Sequence, residues 1–170
     1  MDVSFSHRLA LPLLHAGQAQ KEMFHNEALA LLDCVVQPVV QSIGDAAPPS
    51  DPVVGECHVV GGGASGAWVA KDDHLAGWTA GGWRFVQPFD GFHVWLAPEG
   101  VWATYRDSGW RVGTVFARAL EVDGKRVVGP RGNGIAAPSG GAVIDAEARA
   151  ALVALTDRLV AHGLIAESLV

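Results

Sequence analysis

Apolar positions along the chain change period twice, and the changes divide it into three zones. From about Gln18 to Val40, Ala28, Leu31, Leu32, Val35 and Val39 recur at helical spacing and predict one apolar stripe. His15, Gln18, Glu22 and His25 share that spacing on a polar face. Asn26 followed by Glu27 reads as an N-cap with an acid in the first turn, which would split the zone into two helices. Pro38 predicts a kink or stop near Gln37.

The period then shortens. From about Val53 to Val128, short runs such as His58–Val60, Trp83–Val86 and His93–Leu96 alternate with Gly, Asp and Pro turns, predicting strands. The segment Trp78–Val86 is echoed 27 residues on by Tyr105–Gly113, each reading as a hairpin in which Gly-Trp-Arg opens the return strand. Asp123-Gly124 marks another hairpin. The third zone ends in a helix capped by Asp145 and stopped by Gly163, from which Leu164 could pack back on Leu159. Its Ala148, Leu152, Leu155, Leu159 and His162 follow the four-three rhythm of a coiled-coil seam. Packing on the chain's own β zone and packing on another subunit are equally compatible with that rhythm.

The expected fold is therefore α+β: an N-terminal helical segment, a central Trp/Gly-rich antiparallel β-domain of hairpins and a C-terminal helix. Expected boundaries are 1–44 for the helical assembly segment, 45–52 for a proline-rich linker, 53–128 for the β-domain and 129–170 for the loop and terminal helix. Pro48, Pro49 and Pro52 stiffen the linker.

Composition removes several function classes. The chain has 170 residues and a net charge of −6, with 12 basic and 18 acidic residues and no Lys/Arg run, which argues against nucleic acid as a partner. No apolar stretch reaches the ~20 residues of a membrane span, and the first residues lack the pattern of a secretory signal, so synthesis in the cytoplasm is expected. Charged residues make up only 18%, below the roughly 25% of ordinary soluble domains, which leaves apolar surface for subunit contacts. Cys34 and Cys57 fall in a helical and a strand-like pattern, and sequence does not decide whether they meet.

Catalytic signatures are weak. Glu22 and His25 have the carboxylate–histidine spacing of di-iron helices, but the second pair and the further carboxylates such a centre needs are missing. Asp72-Asp73-His74 reads first as a turn and only second as a cation site. Gly61–Gly66 lacks the Lys-Ser/Thr ending of a phosphate loop. No metal, cofactor or catalytic residue is expected, and the chain reads as a non-enzyme. The six tryptophans all lie between Trp68 and Trp110. Most should fill a core. Trp78 and Tyr105, which open the two hairpins, are the candidates for stacking on sugar rings, with Trp83 and Trp110 turned inward.

Leu11–Leu14, Gly17–Lys21, His25–Leu29 and Leu32-Asp33, continued by Ala47–Ser50, Ala64–Trp68 and Gly82–Phe85, resemble an uncharacterised family found in prophage tail-fibre regions and gene transfer agents. Val127–Arg131 and Ala161–Ile165 resemble a closing segment of such particle proteins. Glu22 departs from the family, which often has His there, as does Cys57-His58, where an aromatic strand residue is usual. The resemblance implies a virion or phage-like particle component without catalysis: a homo-oligomeric base or adaptor joining capsid vertex or tail to an attachment fibre, as in a head spike. Its expected assembly face is Gln18, Lys21, Glu22, His25, Asn26 and Glu27. The alternatives are a module binding surface polysaccharide directly, and a polysaccharide or cell-wall hydrolase using Asp72 or Asp73 with Asp90, Glu99 or Asp107.

Overall fold

The structure is a computed structural model that describes residues 4–15, 21–137, 139–140, 145–162 and 164–167. The chain forms two compact units, Met1–Val115 and Phe116–Val170. The architecture is α+β, with an N-terminal helix, a central β region rich in antiparallel pairs and a C-terminal helix.

Helix α1 runs without a break over Lys21–Val35. Asn26 does not cap a second helix; its side chain instead clamps the backbone of Leu14, accepting from the Leu14 amide and donating to the Leu14 carbonyl, both at 2.9 Å. The helix stops where the proline requires. Gln37 takes a left-handed conformation (φ 44°), and Val39-Val40, expected to be helical, form strand β1.

Strands β2 (Ile43–Asp45), β3 (Cys57–Val60), β4 (Leu75–Thr79) and β5 (Gly82–Val86) make one sheet in the order β2-β3-β4-β5. Strands β6 (His93–Leu96), β7 (Val101–Tyr105) and β8 (Trp110–Val112) join β1 in a second, ordered β1-β6-β7-β8. Each sheet is an antiparallel three-strand meander with a short parallel strand on its first edge. The hairpin echo seen in the sequence is thus the visible part of a larger structural echo. The proline-rich stretch joins β2 to β3 within one sheet, so it is a loop inside the first unit rather than a connection between two bodies.

Strand β3 is buried throughout because both faces of its sheet are covered. Cys57 and Val59 point with Leu75 and Val86 into the principal core, which also holds Cys34, Val40, Val94, Leu96 and Ala103. His58 and Val60 point the other way, with Ala76 and Phe85, onto Trp68 in a 3₁₀ turn (Gly66–Trp68). Trp68 is 0% exposed and is the largest fully buried side chain.

The second unit holds the hairpin β9 (Leu120–Val122) and β10 (Lys125–Val128) and helix α2 (Ala146–Ala161). The hairpin therefore belongs with the terminal helix and not with the two sheets. Asp123 and Gly124 both have positive φ, the conformation that lets a two-residue turn match strand twist. Asp145 caps α2, accepting from the Ala148 amide at 2.8 Å, and the Leu164 amide donates to the Leu159 carbonyl at 2.9 Å. The expected stop at Gly163 lies outside the described residues. No described residue of this unit is buried.

Candidate functional site

Asp33 lines a concavity of the first unit. It sits near the end of α1, 6% exposed, and its carboxylate accepts from the Ser6 hydroxyl and from the Arg8 and Leu9 amides at 2.7–2.9 Å. Burial alone would raise its carboxyl; these three bonds and the Arg8 charge outweigh it and hold the group below the usual carboxylate value. The Arg8 guanidinium in turn donates to the Asp33 and Gln37 carbonyls, capping the negative end of the helix. Residues 4–13 are thereby folded into a small turn, bridged between Phe5 and Pro12, and laid against α1.

Between that turn, α1 and the β4–β5 hairpin lies a cavity of about 330 Å³. Met23, Asn26, Glu27 and Cys34 line one side, and Trp78, Thr79 and Arg84 the other. Glu27 pairs with Arg84 (Oε1 to Nε, 2.6 Å), fixing the helix to β5. Gly55, at positive φ, completes the wall where any side chain would collide with the His7 imidazole. The cavity joins an indole to a charged pair and a hydroxyl, a chemistry suited to holding a small polar ligand. Both carboxylates in it have partners: Glu27 pairs with Arg84, and Asp33 accepts from Ser6 and Arg8.

The expected assembly face of α1 is divided by the structure. Asn26 and Glu27 are committed to Leu14 and Arg84, Glu22 is half-buried, Lys21 and His25 are exposed, and Gln18 lies outside the described residues. The helix docks through Ala30, Asp33 and Cys34 together with Val35, the stripe residue that packs on the principal core, and not through the whole stripe. Phe24 (81% exposed), Ala28 and Leu32 consequently face solvent, with Leu31 and Val35 half-covered. Asn26 and Asp33 are the anchors that turn the helix this way.

Trp78 and Trp83 are directly paired across β4–β5, as Tyr105 and Trp110 are across β7–β8. Directly opposed residues share a face, so the expected inward–outward division within each hairpin does not occur. Trp78 lies 5.0 Å from Trp83, whose other neighbours are Trp68 and His58. Tyr105 and Trp110 pack together on the principal core, and the Trp110 indole donates to the Asp73 carbonyl. Tyr105 is half-buried there, while Trp78 borders the cavity. The indoles that stand on a solvent face are Trp95 and Trp102, paired across β6–β7 at 5.1 Å, with Trp102 49% exposed. Period-2 alternation carried the signal: Val94, Leu96, Val101 and Ala103 fill one face and leave Trp95 and Trp102 on the other.

Two further constellations lie outside that cavity. Ser42 Oγ lies 2.9 Å from His58 Nδ1, and His58 Nε2 lies 3.2 Å from Glu56 Oε1. This has the composition of a nucleophilic triad, but His58 is wedged between Trp68 and Trp83, and Ser42 does not line the cavity. Burial lowers the His58 imidazole despite the opposing pull of Glu56. Asp72 accepts from the Gly63 and Ala64 amides, so the acidic turn pins the glycine-rich loop. Those two bonds hold its carboxyl below the usual range. Among the described residues, no group of three His, Cys, Asp or Glu side chains is placed to hold a metal, and no helix is long and apolar enough to cross a membrane.

In the second unit, the stretch from Arg131 runs beside Leu164–Ala166 through Gly132 bonds, and Ile135 and Ala137 line a concavity with Val153, Thr156 and Val160 of α2. The seam residues Ala148, Leu152 and Leu155 lie on a different side of the helix and are exposed, the two leucines by 51% and 58%.

A family model described as "Protein of unknown function (DUF2793)" matches residues 25–111, just over half of the chain, and the chain belongs to that family. The matched range takes in both sheets and most of α1, and ends before the second unit. No curated protein matches the chain.

Proposed function

We propose that the chain is a non-catalytic, homo-oligomeric structural component of a phage-like particle, acting as the base or adaptor of a head spike or attachment fibre. The likeness of Leu11–Leu29 and Val127–Arg131 to prophage and gene transfer agent proteins supports the particle. The observation that carries assembly is the exposed seam of α2. A 16-residue helix is marginal in water unless an apolar face is packed, and Leu152 and Leu155 stand more than half exposed. A second copy supplies that packing, because a four-three apolar rhythm is self-complementary. The Phe24–Leu32 side of α1 is a second assembly face, replacing the polar face expected there. Its other partners are the capsid vertex or tail and the attachment fibre, and it resides in the particle after synthesis in the cytoplasm. Imaging particles from cells lacking this chain tests the reading: an appendage should vanish while heads remain, and complete appendages would refute it.

A second reading, direct contact with surface polysaccharide, is favoured by the Trp95–Trp102 pair, two edge-to-face indoles on a polar sheet face with His93 and Arg111, of which Trp102 is about half exposed. A glycan array probed with the full chain and with Trp102→Ala tests it. Binding by the former and loss in the latter are expected, and equal signals would exclude this platform.

A further inference from the structure

The two cysteines come from different elements, α1 and β3, and meet inside the first unit. Cys34 is 5% and Cys57 1% exposed. Gly77 of β4 stands directly across from Cys57 in the sheet. A methyl group at Gly77 would collide with the Cys34 sulfur and lie 3.5 Å from the Cys57 sulfur, so the glycine opens the space the two thiols share. A single buried thiol is an ordinary small hydrophobe. Here two thiols border one slot that a glycine keeps open. Access is one-sided: Cys34 lines the cavity beside Trp78 and Arg84, whereas Cys57 lies behind it.

We propose that Cys34 and Cys57 are a latent disulfide, closed by an oxidised low-molecular-weight disulfide that enters the cavity and meets Cys34 first. The Cys34 thiolate attacks one sulfur of the small disulfide, forming a mixed disulfide and expelling one small thiolate. The Cys57 sulfur then attacks Cys34, forming the internal bond and expelling the second. Two protein thiols are oxidised, one small disulfide is reduced to two thiols, and the two cysteine protons go to those products. The order follows from access, because Cys34 lines the cavity and Cys57 does not. The local fields agree: interaction with the Cys57 thiol, with the Arg8 and Arg84 cations, lowers Cys34 against burial and the Asp33 charge, and interaction with Cys34 together with burial raises Cys57. The closed bond ties the end of α1 to the middle of its sheet. It would form when the protein leaves a reducing compartment. The proposal is independent of the oligomer reading, because both residues and the cavity belong to the first unit.

The full chain, reduced and then freed of reductant, is incubated natively with oxidised glutathione. Thiols are titrated in denaturant, and intact mass and melting are recorded. Both thiols should disappear with a mass loss of two hydrogens in a single chain. Melting of the first unit should rise by roughly 10 °C, reversibly, from loop closure in the unfolded state. Cys57→Ser should instead stop with one glutathione on Cys34, and Cys34→Ser should react far more slowly. Two thiols still titratable, a bond between separate chains, or a lowered melting temperature would overturn the proposal. The wild-type measurement needs no variant, so a Cys57→Ser chain that fails to fold leaves it decisive.

Discussion

The two units place their apolar residues in opposite ways. The first closes two buried clusters, one on each face of the β2–β5 sheet, even though Met23, Phe24, Val53 and Phe89 stand exposed at its surface. The second keeps Val115's successors Phe116, Leu120, Val122, Val127, Leu152 and Leu155 all exposed. A lone two-stranded hairpin and a lone short helix are each marginal in water. The first unit has a buried core, whereas no described residue of the second is buried.

The largest effect that would sharpen this contrast is Trp68→Ala. Removing a fully buried indole from the second cluster should cost about 3–5 kcal/mol, seen as a collapse of the first unit's melting. No single substitution in the second unit should approach that figure. Asp33→Ala comes next, at about 2–3 kcal/mol, because three donors lose a charged acceptor. It should also release residues 4–13, measurable as faster amide exchange at Arg8 and Leu9.

Titration separates the units further. The imidazole of His58 is lowered on folding, so the stability it contributes is complete above about pH 6.5 and is lost as pH falls below that unfolded value. Asp33 is also lowered, so its contribution is present above about pH 4 and lost in stronger acid. First-unit melting should therefore fall in two stages on acidification. His58→Gln should remove the first stage, and an unchanged first stage would place the titration elsewhere. Smallest of all is Trp102→Ala, expected within about 1 kcal/mol because half of the ring is already in water. A larger loss in the oligomer than in dissociated chains would mean that Trp102 lies in a subunit contact and not on a glycan platform.

Much of this fold was legible in residue pattern. Pro38 ended the helix, Asp123-Gly124 made its turn, Asp145 capped α2, and the hairpin echo corresponded to real β4–β5 and β7–β8 pairs. Orientation was harder to read. The stripe of α1 has helical spacing, but which side docks is decided by Asn26 and Asp33 bonding residues 12 and 25 positions away, and periodicity carries no such information. The tryptophan faces were readable in principle. Thr79 and Gly82 flank a two-residue turn, which sets Trp78 opposite Trp83 on one face. The parallel edges β1 and β2 were not readable, since two or three residues leave no period. The meeting of Cys34 with Cys57 depended on Gly77, a residue with no side chain to announce it.

The most direct test of assembly through α2 is light scattering on the purified full chain, alongside the double variant Leu152→Asp and Leu155→Asp. The wild-type chain should scatter as a discrete oligomer at micromolar concentration, and the variant as a monomer whose first unit melts unchanged. A monomeric wild-type chain with an ordered α2, or a variant that keeps the wild-type mass, would contradict it.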